Sequence, residues 1–300
     1  MSHKIQNLVF SPDVPVLIQG ASGRMGTRHM ALMEKYGTNI VGGIGGGREP
    51  GELNGVTLYR SCREAVEEAS AYATVMLVPP LGVLAAVREA AEAGLKLIVS
   101  PAEGMPIHDA LEALEICQDH DAIWVGPSTP GIAIPNRTKL GFIPDVSLLP
   151  GPLGVMSKSG TLSYEVCYRL SRCGVGQSVW IGVGGDMVKG LRFSDLVLFF
   201  QTHDETKAVL VIGEIGGTEE EELAQAIKET GFDKPVYVIL AGASARAGVT
   251  MGHAGALMLG DRGTISSKRK ALEQVGAMVF STITELVDHV SKAMGQHETE

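Results

Sequence analysis

The chain has 300 residues, 45% of them hydrophobic and 5% aromatic, with 38 glycines and a formal charge of −9. That length suggests about two domains with ample material for buried cores, and a composition without repeats excludes collagen-like and disordered chains. The acidic balance, with no basic stripe, argues against nucleic acid as a partner, and no apolar run is long enough to span a bilayer.

In chain order, a strand over 14–19 enters the turn Gly20-Ala21-Ser22-Gly23-Arg24-Met25-Gly26, which opens a helix over 24–36. A strand over 39–44 ends in Gly42, Gly43, Gly45, Gly46 and Gly47, followed by a helix near 62–70 and a strand over 73–78 closed by Pro79-Pro80. A helix over 81–93, a strand over 95–99, a helix over 106–119 and a strand over 122–125 follow. Strands alternating with helices through short turns predict a parallel sheet covered on both faces.

From Pro127 to Pro152 prolines punctuate the chain and mark a domain boundary. The alternation then resumes: strand 153–157, helix 161–173, strand 178–183, helix 193–202 and strand 208–213. Thr218 followed by Glu219 to Glu222 reads as an N-cap with an acidic first turn that answers the helix dipole. A strand over 235–240, a helix over 267–274, a strand over 277–280 and a last helix to 293 complete the reading. The expectation is therefore an α/β chain of two open-sheet domains, 1–148 and 149–300.

The four cysteines form no C-x-x-C pair, and the N-terminus MSHKIQNLVF has no signal-peptide core, so reduced thiols and a cytoplasmic location are expected. No second His or Cys lies at ligand spacing from His253, so no metal site is expected in this chain.

The turn has the spacing G-x-x-G-x-x-G, which suits close backbone approach to a phosphate at a helix N-terminus. A nicotinamide dinucleotide site expects an acidic residue about 20 residues further on, to hold the ribose hydroxyls. Here that position is glycine-rich, and the first charged residue is Arg48, which suits a ribose phosphate of NADP or of coenzyme A. The turn alone leaves that choice open.

Three segments of the second half carry further chemistry. Ser157-Lys158-Ser159-Gly160-Thr161 follows a strand and opens a helix, an anion-ready geometry in which Ser159 can equally be a plain N-cap. Ile212-Gly213-Glu214-Ile215-Gly216-Gly217 sets a carboxylate at a strand end among glycines. Thr250-Met251-Gly252-His253-Ala254-Gly255 strips bulk from around one histidine, leaving it free to act as a nucleophile, an acid–base group or a metal ligand.

Taken together, SKSGTLSYE, VGGD (Val183 to Asp186), GEIGG and MGHAGA resemble the α subunit of succinyl-CoA synthetase and related NDP-forming acyl-CoA synthetases, in the same order over nearly the whole chain. The resemblance implies a Rossmann-like coenzyme A-binding domain followed by a flavodoxin-like ligase domain. It implies that Ser22, Gly23, Arg24, Met25 and Gly26 hold the diphosphate of coenzyme A, that Arg48 stands near its ribose phosphate, and that Val78, Pro79 and Glu103 lie along it. It makes His253 the phosphohistidine, with Glu214 accepting a hydrogen bond from its other ring nitrogen and Ser159, Gly160 and Thr161 facing the phosphate. The overall reaction implied is acid, nucleoside triphosphate and coenzyme A to acyl-CoA, nucleoside diphosphate and phosphate, with an acyl phosphate formed first from the acid and the triphosphate, its phosphoryl group passing to His253 and its acyl group to coenzyme A.

No segment here suits an ATP-grasp domain. The resemblance places that domain, with Mg²⁺ and ATP or GTP, on a partner β subunit. The sequence departs from the family near the expected site. It has Pro127-Ser128-Thr129-Pro130-Gly131 for a usual Pro-Asn-Cys-Pro-Gly and Ala102 for a usual threonine, so the acid is left open among succinate, malate, citrate and other short carboxylates. Two rival readings remain: a non-catalytic coenzyme A-binding homologue, and an NAD(P)-dependent reductase that would leave GEIGG and MGHAGA without a role.

Overall fold

The computed structural model describes residues 13–47, 49–242 and 263–295. The chain divides into two compact units. One runs to Phe142 and takes back Val188–Leu191, and the other holds Ile143–Met187 and the chain from Arg192 onward.

The first unit contains β1 (Val16–Gln19), α1 (Arg24–Tyr36), β2 (Ile40–Ile44), β3 (Gly51–Leu53), β4 (Val56–Tyr59), α2 (Cys62–Ala69), β5 (Ala73–Met76), α3 (Val83–Glu92), β6 (Leu97–Val99), α4 (Ile107–Asp119) and β7 (Ile123–Val125). Its strands lie in the order β3-β4-β2-β1-β5-β6-β7. Without β3, which runs antiparallel to β4, the parallel strands follow the doubly wound dinucleotide-fold order, two halves diverging from β1. Leu17 and Ile18 of β1 are fully buried. α1 closes over the sheet with Met30 and Met33, each such side chain contributing about 1.5–3 kcal/mol on burial. Gly37 then stops α1 in the left-handed conformation, its N–H returning to Glu34 and Met33 carbonyls.

The β3–β4 hairpin was not expected from the sequence. Its signal was the dipeptide Asn54-Gly55, both at positive φ (54° and 84°), the pair that a tight two-residue hairpin turn requires. The proline-rich stretch is likewise more ordered than a linker. It folds as the antiparallel hairpin β8 (Gly131–Ile134) and β9 (Thr138–Gly141), followed by a 3₁₀ turn at Asp145–Ser147. Prolines at strand ends, such as Pro130 and Pro135, leave the ladder between them intact.

The second unit contains β10 (Pro150–Ser157), α5 (Gly160–Arg172), β11 (Gln177–Gly182), α6 (Phe193–Thr202), β12 (Ala208–Glu214), α7 (Glu219–Thr230), β13 (Val236–Ala241), α8 (Ile265–Gln274), β14 (Met278–Phe280) and α9 (Ile283–Met294). Its strands lie in the order β14-β13-β12-β10-β11, the flavodoxin-like arrangement. β12 is buried along its whole length, as a central parallel strand must be. Among the described residues no helix is long and apolar enough to cross a membrane.

Candidate functional site

β1 sits where the strand order of the first sheet reverses, between β2 and β5. In open α/β sheets the crevice beyond the carboxyl ends at such a point is where ligands bind. The glycine turn leaves β1 there. Gly20 and Ala21 both donate their N–H to Ile44 O at 3.0 Å, and Ser22 Oγ donates to Gly45 O at 2.6 Å, which pins the turn to the end of β2. Gly26 lies inside the turn. A Cβ there would sit 1.9 Å from Gly20 O, so only glycine lets α1 start this close to β1.

Gly23, Arg24 and Met25 are exposed, and no side chain caps α1. The first N–H groups of a helix have no internal acceptors, so residues 24–26 present donors at the positive end of α1. Since the Ser22 hydroxyl is committed to Gly45, an anion here would be gripped by backbone. Val78 flanks the turn, 3.2 Å from where a Gly20 Cβ would be, and Pro79 beside it is exposed. Glu103 is exposed in the loop after β6, next to Gly104, whose Cβ position is 4.0 Å from Pro80 Cγ. Ala102 O in the same loop accepts the N–H of Ser128 at 3.0 Å, so the two family departures meet at one spot.

In the second unit the reversal lies between β10 and β12, whose ends carry Ser157 and Glu214. Ser157 Oγ donates to Ser159 O at 2.8 Å and accepts the Ser159 N–H at 3.1 Å. Ser159 Oγ accepts the Leu162 N–H at 3.2 Å and thereby caps α5. Of the three residues expected to face phosphate, Ser159 therefore spends its oxygen on the cap, leaving Gly160 and the exposed Thr161 at the helix start.

Lys158, between the two serines, turns inward. It is 4% exposed, with Nζ 2.9 Å from Glu220 Oε1 and 3.5 Å from Glu219 Oε2. Lys268 Nζ pairs with Glu220 Oε2 and donates to Gly216 O at 2.6 Å. Glu220 Oε1 also accepts the backbone N–H of Glu214 at 3.1 Å, and Glu219 Oε1 accepts that of Phe193 at 2.9 Å. Burial works against the Lys158 ammonium, but Glu220 and Glu219 outweigh it and hold its pKa above the ordinary lysine value. Burial pulls Lys268 below that value, because Lys268 has Glu220 as its near carboxylate and feels the repulsion of Lys158.

The acidic run does fill the first turn of α7, but the helix dipole is not all that it answers. Glu219 and Glu220 are buried, and what makes that tolerable is the pair of lysines set against them. Thr218 makes no cap hydrogen bond; its Oγ1 donates to Glu222 Oε1 at 2.7 Å. From the sequence Glu219 and Glu220 had only a dipole role and Lys158 and Lys268 had none, since nothing in the spacing pairs them. Glu214 itself lies at the end of β12, where the sequence put it, and is 5% exposed. Arg48 and His253 lie outside the described residues.

Residues 12–104 match the CoA-binding domain family, and residues 156–278 match the CoA-ligase family. A succinate–CoA ligase [ADP-forming] subunit alpha 2 of Archaeoglobus fulgidus is 43% identical over 287 residues, covering 96% of this chain and 99% of that one. The corresponding α subunit of Aquifex aeolicus is 38% identical, covering 98% and 96%. An ADP-forming sulfoacetate–CoA ligase subunit of an Acholeplasma species is 38% identical over 89% of this chain and 91% of its own. Among solved structures, ATP citrate lyase from Methanothrix soehngenii in complex with citrate and coenzyme A has a similar fold, with a TM-score of 0.83 at 23% identity. That match covers 96% of this chain, which spans about half (51%) of the lyase chain.

Proposed function

This chain belongs to the family of succinate–CoA ligase α subunits, and from that premise we propose that it is the α subunit of an NDP-forming acid–CoA ligase, joining a short carboxylic acid to coenzyme A. The observation that carries the reading is the buried carboxylate of Glu214 at the switch point of the second sheet, whose neighbouring strand β10 leads through the Ser159 cap into the first N–H groups of α5 at Gly160 and Thr161. A reductase has no use for that arrangement, and a binding protein has no use for His253 set among glycines.

Coenzyme A takes the first switch point. The backbone of Ser22, Gly23, Arg24, Met25 and Gly26 holds its diphosphate, Arg48 its ribose phosphate, and Val78 and Pro79 line its length with Glu103 alongside. In the second unit His253 receives the terminal phosphoryl group of a nucleoside triphosphate, and the diphosphate departs. Glu214 accepts the hydrogen bond of the ring nitrogen that does not react, fixing the tautomer. A carboxylate oxygen of the acid then displaces His253 from phosphorus, giving the acyl phosphate. The coenzyme A thiolate attacks its carbonyl carbon, and inorganic phosphate leaves with the carbon–oxygen bond pair. This reverses the order expected from the sequence, because an acyl phosphate that gave its phosphoryl group to His253 would become the free acid again and leave the thiolate no phosphate to displace.

A helix start contributes about 0.3–1 kcal/mol to an exposed anion and up to about 2 when partly buried. The start of α5 therefore shares the phosphoryl group with other donors, which we assign to an ATP-grasp β subunit that also brings Mg²⁺ and ATP or GTP. The acid is a short carboxylate; of the three ligase relatives described above, two are named for succinate and one for sulfoacetate. His253→Asn is expected to abolish acyl-CoA synthesis by the complex while leaving coenzyme A affinity within about twofold of wild type. Full activity in that variant would remove the phosphohistidine assignment.

A further inference from the structure

We infer that Glu220, held between Lys158 and Lys268, is a positioning residue that sets Glu214 and the glycine loop after it in place for phosphoryl transfer. The inference rests on the functional reading above and adds to it a group that touches no substrate.

The geometry is convergent. One oxygen of Glu220 takes both the Lys158 ammonium, at 2.9 Å, and the backbone N–H of Glu214, at 3.1 Å. The other takes Lys268, which in turn grips Gly216 O at 2.6 Å. A single carboxylate thus fixes the loop 214–216 at both ends. The first glycine of GEIGG exists for this contact: a Cβ on Gly213 would lie 2.5 Å from Glu220 Oε1 and 2.9 Å from its Cγ. Lys158 belongs to the turn that opens α5, and its own N–H donates to Ile212 O at 3.0 Å. The phosphate-facing turn and the Glu214 loop are therefore locked to each other through one buried group.

The same end of α7 holds the chain beyond residue 262. Glu221 Oε1 accepts the Gly263 N–H at 3.2 Å and the Ser267 hydroxyl at 2.8 Å, and Gly216 N–H donates to Gly263 O at 2.8 Å. Gly263 is the first described residue after the segment that carries His253. Stability alone gives no reason for this construction. Buried ion clusters are commonly no more stabilising than apolar side chains of the same volume, so four charged groups under one strand end call for a geometric role.

The test uses the complete complex with its β-type partner and compares Glu220→Gln, Lys268→Met and the double variant Glu220→Gln/Lys268→Met. The double variant keeps one buried lysine against one buried glutamate, so it restores the charge balance while losing the grip on Gly216. Single-turnover phosphorylation by labelled ATP or GTP, normalised to folded complex, is measured beside coenzyme A affinity and the KM for the acid. The expected result is a phosphorylation rate and kcat lowered at least about tenfold in every variant that folds, the double included, with coenzyme A affinity and KM within about twofold. A double variant that phosphorylates at the wild-type rate would overturn the inference and reduce the cluster to a fold element. Absence of phosphorylation in the wild-type complex would overturn the functional reading, and this inference with it.

Discussion

Gly26→Ala tests the coenzyme A cradle through one methyl group. The new Cβ would be placed 1.9 Å from Gly20 O, 2.8 Å from Gly20 C and 2.9 Å from Ala21 C, all backbone, with 3.0 Å the limit that real Cβ atoms respect. The start of α1 must therefore retreat from β1 by about 1 Å, and close-packed surroundings resist this at a cost of about 1–3 kcal/mol. Gly20 cannot yield instead. Its φ is +81°, and its own Cβ position is 2.5 Å from Leu77 O, so the turn is bounded on its far side by the end of β5. The donors of residues 24–26 move with the helix, away from the place a diphosphate would occupy. Losing one hydrogen bond to a charged group costs about 1.5–3 kcal/mol, so affinity for coenzyme A should fall at least about tenfold. Calorimetric titration with coenzyme A, on protein whose thermal unfolding shows it folded, reads this directly. A folded Gly26→Ala protein with wild-type affinity would refute the assignment of the turn.

Two further outcomes follow from the first unit. Ser128 holds a positive φ of 57°, a conformation that asparagine tolerates better than serine. Ser128→Asn should raise stability by up to about 1 kcal/mol, a rise of about 1–3 °C in thermal midpoint; a lowered midpoint would count against the strain argument. His29 packs against Phe142 with its ring tilted by 45° and the ring centroids 4.2 Å apart, and burial, then Arg28 and Lys139, holds its pKa below the ordinary 6.5. The unfolded chain takes up that proton first, so the His29 contribution is whole above the unfolded pKa and is lost as pH falls through the folded one. In denaturant titrations at about pH 7.5 and about pH 5.5, wild type should lose more stability than His29→Gln; equal losses would contradict this.

Much of the fold was legible because parallel strands buried on both faces read as apolar runs, and turns between them as glycine and proline. β1, α1 and the chain from β10 to β12 fell where the alternation put them. The β3–β4 hairpin escaped because its strands are three and four residues long, too short for periodicity, although Asn54-Gly55 announced it. The candidate site was legible where a motif carries its own geometry, as at Gly20 to Gly26 and at Glu214. It was not legible where chemistry depends on residues distant in sequence. Lys158 sits unremarked in a turn whose hydroxyls draw the eye, and Glu219 and Glu220 read as an acidic first turn that answers the helix dipole. Only the packing of α7 and α8 against the ends of β10 and β12 brings Lys158, Glu220 and Lys268 together.

The most direct measurement is phosphorylation of the purified complex with γ-labelled ATP or GTP, followed by peptide mapping and discharge with a panel of short carboxylic acids. The account predicts acid-labile label on His253 that persists with coenzyme A alone and is discharged by one acid together with coenzyme A, yielding the acyl-CoA. Coenzyme A binding without label from either nucleotide, with the partner subunit present, would contradict it and leave a binding protein in its place.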